Sequence, residues 1–201
     1  MNDVALSTIP TPLRWANPPQ HWQVGDDGTL TMTAGERTDL FNDPDGASPT
    51  NNSPRLTFQP EDPYVLSARV TVDFAAWGDA GALLIYGSDS SYAKLCFEFS
   101  HLKQPTVVSV VTRQGTSDDC NSVPVDGNER YLRLAKLDRA FAFHYSTDGQ
   151  LWHLIRYFTL ENPGDVAIGF TVQSPTGQSC TASFSEIAYT TQKLEDIRSG
   201  E

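Results

Sequence analysis

The chain has 201 residues, of which 39% are hydrophobic and 10% aromatic, and its formal net charge is −11. This length and composition are typical of one large packed domain. Nucleic acids and anionic membrane surfaces repel a strongly acidic protein, so the charge argues against both as partners and is explained most simply by solubility. No run reaches the roughly 20 consecutive apolar residues that a membrane-spanning helix needs.

The amino terminus and the cysteines indicate a cytoplasmic protein. The chain does not begin with a basic region followed by an apolar core, so we expect no secretory signal. The cysteines, Cys96, Cys120 and Cys180, are odd in number and far apart in the sequence. This pattern fits neither a disulfide framework nor a zinc site. We therefore predict free thiols, no metal and no cofactor.

Short strand candidates open the chain, at 21–25, 29–33 and 36–41. An irregular segment at 39–63, rich in Pro, Asn, Asp and Ser, overlaps the last of them. Irregular segments of this length inside compact domains are often functional. They also serve as plain surface crossovers between two sheets. The sequence leaves both interpretations open.

The middle of the chain shows the clearest period-2 pattern. From Leu66 to Phe74 every second residue is apolar, and the residues between them are Ser, Arg, Thr and Asp. This alternation is typical of a half-buried antiparallel strand. Further strand candidates follow at 80–87 and 105–113, and a polar loop rich in Ser and Asp comes directly after the second of these.

The segment 91–100 carries the most informative pattern. Lys94 and Glu98 alternate there with Leu95 and Phe97. Side chains alternate between the two faces of a strand, so Lys94 and Glu98 share one face, about 7 Å apart. We expect Leu95 and Phe97 to be buried on the opposite face. The sequence therefore predicts a polar binding surface beside the Ser/Asp-rich loop.

The second half of the chain completes an all-β pattern. Its strand candidates lie at 131–137, 140–146, 151–159, 166–172 and 180–190. Turn signals such as Asp148-Gly149 separate them, and no repeat, linker or long amphipathic helix is present. We predict a two-sheet antiparallel β-sandwich, or jelly roll, in a single domain over residues 1–201 with its core at about 12–190. The last residues are expected to form a short helix or to fray.

Catalytic motifs are scarce. The sequence has no nucleophile elbow, phosphate loop or dinucleotide fingerprint. Glycoside hydrolysis usually needs two carboxyl groups, and Glu98 is the only acidic residue of its predicted strand. A second carboxyl group would have to come from a loop, from Asp39, Asp43, Asp118 or Asp119. The sequence therefore leans against an enzyme, with Glu98 as the catalytic residue if it is one.

Two aromatic residues have two interpretations each. Trp77 and Tyr92 can stack on the C–H face of a sugar ring, but a single aromatic residue more often packs in a core or at its rim. The segment 145–152, with Ser146 before Asp148-Gly149, indicates a structural hairpin rather than a functional motif.

Six segments in order resemble one known family. They are TDLFNDPDG at 38–46, AGALLIY at 80–86, YAKLCFEF at 92–99, SVVTRQGTSD at 109–118, YSTDGQLW at 145–152 and VAIGFTVQSP at 166–175. This arrangement resembles the regulation-of-enolase-like family of the concanavalin A-like lectin/glucanase superfamily. The resemblance implies a concanavalin A-like two-sheet jelly roll with a concave face, and no established activity. Lys94, Glu98, Ser117 and Asp118 match the family pattern, whereas Tyr92 stands where the family has Trp.

These observations favour a non-catalytic module that binds a carbohydrate or another polar small ligand on the concave sheet. The predicted ligand-binding residues are Asp39, Lys94, Glu98, Arg113, Ser117 and Asp118. Two alternatives stay open: a glycoside-processing enzyme that uses Glu98, and a cytoplasmic protein-interaction module that regulates a metabolic enzyme.

Overall fold

The computed structural model describes residues 3–160 and 164–201, and the secondary structure of these residues is entirely β. One seven-stranded sheet carries the candidate site. In spatial order its strands are β1 (Arg14–Ala16), β6 (Arg55–Phe58), β15 (Ala167–Gln173), β8 (Ala80–Ser88), β9 (Ser91–Phe99), β10 (Pro105–Arg113) and β11 (Thr116–Pro124). We call it the first sheet.

A second seven-stranded sheet packs against the first, and a short two-stranded ribbon is hydrogen-bonded to neither sheet. The strands of the second sheet, in spatial order, are β14 (His153–Phe158), β13 (Phe141–Ser146), β12 (Glu129–Lys136), β7 (Tyr64–Val72), β16 (Ser179–Thr190), β3 (Leu30–Gly35) and β2 (His21–Val24). The ribbon pairs β4 (Leu40–Phe41) with β5 (Thr50–Asn51). Neighbouring strands are antiparallel, so the predicted two-sheet β-sandwich is confirmed.

The core lies between the two sheets and follows the predicted alternation. Leu66 and Val70 of β7 and Leu95 and Phe97 of β9 belong to one continuous buried cluster. Phe74, just after β7, contacts Phe97 edge-on with ring centroids 5.1 Å apart. The apolar face of each central strand is therefore turned inward. The other face of the first sheet, which points away from the second sheet, is called the outer face below.

Two local predictions were wrong. The segment after β10 was expected to be a loop, but it forms β11, which pairs with β10 along its length. An edge strand has solvent on one side, so it keeps its ladder hydrogen bonds without an apolar pattern. The candidate strand at 36–41 is reduced to Leu40–Phe41.

The part of the irregular segment 39–63 that precedes β6 lies on the outer face of the first sheet, whereas Arg55–Phe58, which the sequence left irregular, form a strand of that sheet. Leu40 packs against Leu84 and Tyr92. The Asn42 backbone N–H donates to Ser117 Oγ at 3.0 Å, and Asn42 Nδ2 donates to the carbonyl of Asp89, also at 3.0 Å. The segment therefore covers part of the outer face, and Tyr92 is fully buried beneath it.

The structure also shows the environment of the three cysteines and the conformation of the carboxyl-terminal tail. Cys96, Cys120 and Cys180 are free, and only Cys120 is exposed. After β16 the tail forms turns rather than a helix, and Leu194 and Ile197 pack on the second sheet. In the part of the chain that the structure describes, no helix is long and apolar enough to cross a membrane.

The close approach of β6 to β15 gives a test of the fold. A Cβ added at Gly169 would lie 2.0 Å from the Leu56 carbonyl oxygen and 2.9 Å from Thr57 Cα. These are backbone atoms, so the strands must shift to admit a methyl group. We expect Gly169→Ala to destabilise the fold by about 2–3 kcal/mol and to lower Tm by roughly 5–10 °C.

Calorimetry of the wild type, Gly169→Ala and Ser179→Ala measures this effect. Ser179 is exposed in β16, and its substitution should change the free energy of unfolding by less than about 0.5 kcal/mol. A Gly169→Ala variant as stable as the control would show that the two strands are not packed this closely.

Candidate functional site

Strand β9 places Lys94 and Glu98 together on the outer face. In the antiparallel register Lys94 pairs with Val110 and Glu98 with Thr106, whereas Leu95 and Phe97 belong to the core. Both polar side chains line one cavity of about 340 Å³. We call it the outer-face pocket. The predicted arrangement of this strand is confirmed.

The Lys94 ammonium is the most buried charge in the pocket, with a side chain only 2% exposed. It donates to Asp39 Oδ1 at 3.1 Å and to Gln173 Oε1 at 2.8 Å. Burial disfavours its charged form, but Asp39 and other nearby groups together outweigh this effect and raise the pKa of Lys94. The pocket therefore holds a fixed cation. An ammonium has three N–H donors, and two of them have acceptors among the described residues.

The Glu98 side chain is half-buried at the pocket surface. Within the described ranges it has no hydrogen-bond partner and no ion pair within 4.0 Å. Burial raises the pKa of Glu98 to about 8, although Lys94 opposes the shift. Desolvation favours the neutral form of a carboxyl group, so Glu98 is largely protonated at neutral pH and presents both a donor and an acceptor to the pocket.

Other carboxyl groups surround these two. Asp119 of β11 pairs with Val110 across the ladder and lines the pocket, and burial raises its pKa. Asp43, also in the lining, comes from the irregular segment. The pocket thus contains four carboxyl groups and one ammonium. Residues 3–160 and 164–201 contain no group of three His, Cys, Asp or Glu side chains arranged to hold a metal ion.

An exposed aromatic platform forms the rim of the pocket. The Trp77 side chain is 45% exposed and stacks on His101 with ring centroids 3.9 Å apart. The next residue, Gly78, has φ 84°, and a Cβ there would meet Pro175 Cγ at 2.4 Å. Trp77 therefore fits the sugar-stacking interpretation, whereas the buried Tyr92 fits the packing one.

Three of the six predicted ligand-binding residues line the pocket: Asp39, Lys94 and Glu98. Ser117 points to the outer face but is 2% exposed. Its hydroxyl accepts from the Asn42 backbone and lies 2.8 Å from Thr112 Oγ1, so it anchors the irregular segment instead of facing a ligand.

Arg113 and Asp118 lie outside the pocket. Asp118 pairs with Val111, a core residue, so both side chains are on the inward face of the first sheet. At the sheet edge Asp118 binds Arg156 with an N–O distance of 2.8 Å. Arg113 Nε donates to the Thr159 carbonyl at 2.9 Å. These two residues tie the edges of the two sheets together.

Asp119 and Gln173 belong to the pocket, and neither was among the predicted ligand-binding residues. Recognising β11 as a strand would have put Asp119, rather than Asp118, on the face of Lys94. Phe170 and Val172 are buried between the sheets, so the alternation along β15 places Gln173 on the outer face. This placement of Gln173 could have been predicted from the sequence.

Sequence comparison identifies a family. A family model described as "Protein of unknown function (DUF1349)" matches residues 15–192. No curated protein matches the chain.

Several solved structures share the fold. A functionally unknown protein from Saccharomyces cerevisiae is similar with a TM-score of 0.80 at 22% identity, over 94% of this chain and 99% of that one. A mutant GH43 protein from Bacillus licheniformis gives 0.75 at 16% identity, over 95% of this chain and 38% of that one. The carbohydrate-binding module CBM66 from Bacillus subtilis gives 0.54 at 13% identity, over 87% and 94%. Identities this low establish the fold alone.

The raised pKa of Glu98 predicts a pH dependence of stability. Between about pH 6.5 and 8 the folded state retains a proton that the unfolded carboxyl group, with its ordinary pKa of 4.5, has lost. The folded state then binds more protons, so this group makes stability fall as pH rises, by at most about 1.4 kcal/mol per pH unit. Below this window His144 contributes the opposite slope, because burial lowers its pKa to about 4.

We expect Glu98→Gln to be more stable than the wild type at pH 6.5, because the unfolded wild-type carboxyl group is already ionised there, whereas Gln resembles the protonated acid and cannot ionise in either state. The variant should lose less stability than the wild type by pH 8.5. Urea denaturation at both pH values measures the difference, with the exposed Glu36→Gln as control. Parallel behaviour of the wild type and Glu98→Gln would contradict a proton held on Glu98.

Proposed function

We propose that this chain, which belongs to the DUF1349 family, is a non-catalytic module that binds a carbohydrate or similar polar small molecule in the outer-face pocket. One observation carries the proposal: unsatisfied polar groups and an exposed indole line the same cavity. Among the described residues, Lys94 has acceptors for two of its three N–H groups and Glu98 has no partner, and Trp77 is 45% exposed.

Carbohydrates suit this combination because each sugar ring has hydroxyl groups around its edge and an apolar C–H face. The hydroxyl groups can accept from Lys94 and exchange hydrogen bonds with Glu98, while the C–H face covers Trp77. Binding sites of this kind place a few convergent polar groups beside an aromatic surface. The positions of Lys94 and Asp39 are set by their contact, so little order is lost when a ligand binds.

The fold likeness to CBM66 supports the proposal to a limited extent. That protein is described as a carbohydrate-binding module, and the similarity extends over 94% of it. It shows that the same sandwich can serve as a module. The ligand of this chain has to be inferred from the side chains of its own pocket.

A glycoside-processing enzyme is the second candidate. It is favoured by Glu98, which is protonated at neutral pH as a general acid must be. Asp119 in the same pocket would be the second carboxyl group that glycoside hydrolysis needs. Incubation with chromogenic glycosides separates the candidates: release of the chromophore that is lost in Glu98→Gln favours the enzyme.

The finer placement in the regulation-of-enolase-like family is also a proposal. The six ordered segments support it, and it would make the chain a cytoplasmic protein-interaction module that regulates a metabolic enzyme. We propose that residues 1–201 act as a single functional domain. Retention of a metabolic enzyme by the immobilised protein, insensitive to added oligosaccharide, would favour this alternative over the binding module.

The stacking role of Trp77 gives a direct test of binding. We expect Trp77→Ala to weaken affinity for an oligosaccharide selected on a glycan array by about tenfold, or 1.4 kcal/mol, which is within the range of aromatic contacts. Titration calorimetry measures the change. Trp22→Ala is the matched control, because Trp22 is 43% exposed and lies on the second sheet. Equal affinities of the wild type and Trp77→Ala would contradict a stacking role.

A further inference from the structure

The charges of the outer-face pocket do not balance. Asp39 is paired with Lys94 at 3.1 Å. The carboxylates of Asp43 and Asp119, and the Glu98 carboxyl group once it loses its proton, have no cation within 4.0 Å among the described residues. Each of the three lines the cavity. A ligand that brings a positive charge would supply the missing partner, whereas an anionic ligand would be repelled.

Two observations independent of the acidic groups indicate that the pocket is built for a ligand. The Lys94 side chain is 98% removed from solvent, yet one of its N–H donors has no acceptor in the described ranges. A ligand oxygen can therefore accept a third hydrogen bond from the Lys94 ammonium. Beside it, Trp77 exposes 45% of its surface at the rim. The pocket therefore presents a donor and an apolar platform in addition to carboxyl groups.

We infer that the ligand is an amino sugar, or an oligosaccharide containing one, whose ammonium group is bound by Asp119 and Glu98. This inference rests on the proposed carbohydrate-binding function and narrows it to a ligand class. A hydroxyl group accepts from Lys94, and the C–H face of the ring packs on Trp77. Ammonium–carboxylate hydrogen bonds are about twice as strong as neutral ones. A sugar acid is excluded by repulsion.

Binding of an ammonium group is coupled to the proton on Glu98. The titratable groups around it are Lys94 on its own strand, Asp119 on β11, Asp39 and Asp43 in the irregular segment, and His101 at the rim. Glu98 keeps its proton because burial raises its pKa to about 8. A bound cation favours the carboxylate, so binding at pH 6.5 releases up to one proton per site.

Titration calorimetry of the full chain with glucosamine trimer and N-acetylglucosamine trimer tests the inference. Acetylation removes the charge and keeps the sugar ring. At pH 6.5 we expect the glucosamine trimer to bind at least tenfold more tightly. Repeating the titration in buffers of different ionisation enthalpy measures the protons released on binding. We expect release with the glucosamine trimer and none with the N-acetylglucosamine trimer. Xylotriose serves as a neutral sugar and a glucuronic acid trimer as an anionic one.

Asp118 and Asp119 are neighbours in β11 whose side chains lie on opposite faces of the first sheet, so Asp118 supplies a control for Asp119. Asp119→Asn and Glu98→Gln should each reduce the preference for the amine at least fivefold, and Glu98→Gln should abolish proton release. Asp118→Asn, on the inward face, should retain both. Equal or tighter binding of the N-acetylated or neutral trimer would overturn the inference and leave carbohydrate binding intact. Absence of binding by every oligosaccharide would overturn both.

Discussion

The ion pair between Lys94 and Asp39 is the interaction on which the site depends. A buried ammonium is tolerated only when it is paired and hydrogen-bonded. Its partners come from opposite parts of the chain: Asp39 precedes Lys94 by 55 positions and Gln173 follows it by 79. The contacts of Lys94 with Asp39 and Gln173 therefore hold the irregular segment and the end of β15 against β9. The irregular segment therefore forms one side of the outer-face pocket on the first sheet.

The pocket combines fixed and unsatisfied groups. Lys94 and Asp39 neutralise each other, while Glu98 has no partner among residues 3–160 and 164–201 and keeps its proton because of burial. A half-buried carboxyl group that has no protein partner among the described residues is available to hydrogen-bond a ligand. Trp77 adds an exposed apolar surface at the rim. Together these features favour a ligand with hydroxyl groups, a C–H face and a positive charge.

Period-2 alternation predicted the central strands and the shared face of Lys94 and Glu98, because a strand permits only two side-chain directions. After β10 the residues on both faces of the edge strand β11 are polar, so the alternation carries no apolar signal there. The sequence therefore points to Asp118, although Asp119 is the residue on the face of Lys94. Pairing partners such as Asp39 and Gln173 are set by long-range packing, which no local pattern records. The burial of Ser117 likewise depends on the irregular segment that covers it.

The location of a bound sugar tests this account most directly. A crystal structure of the protein with glucosamine trimer should place one sugar ring on the Trp77 indole. Its amino group should lie within hydrogen-bonding distance of Asp119 or Glu98, and a hydroxyl group should accept from Lys94. A trimer seated on the second sheet or along a sheet edge, with the outer-face pocket unchanged, would contradict the account.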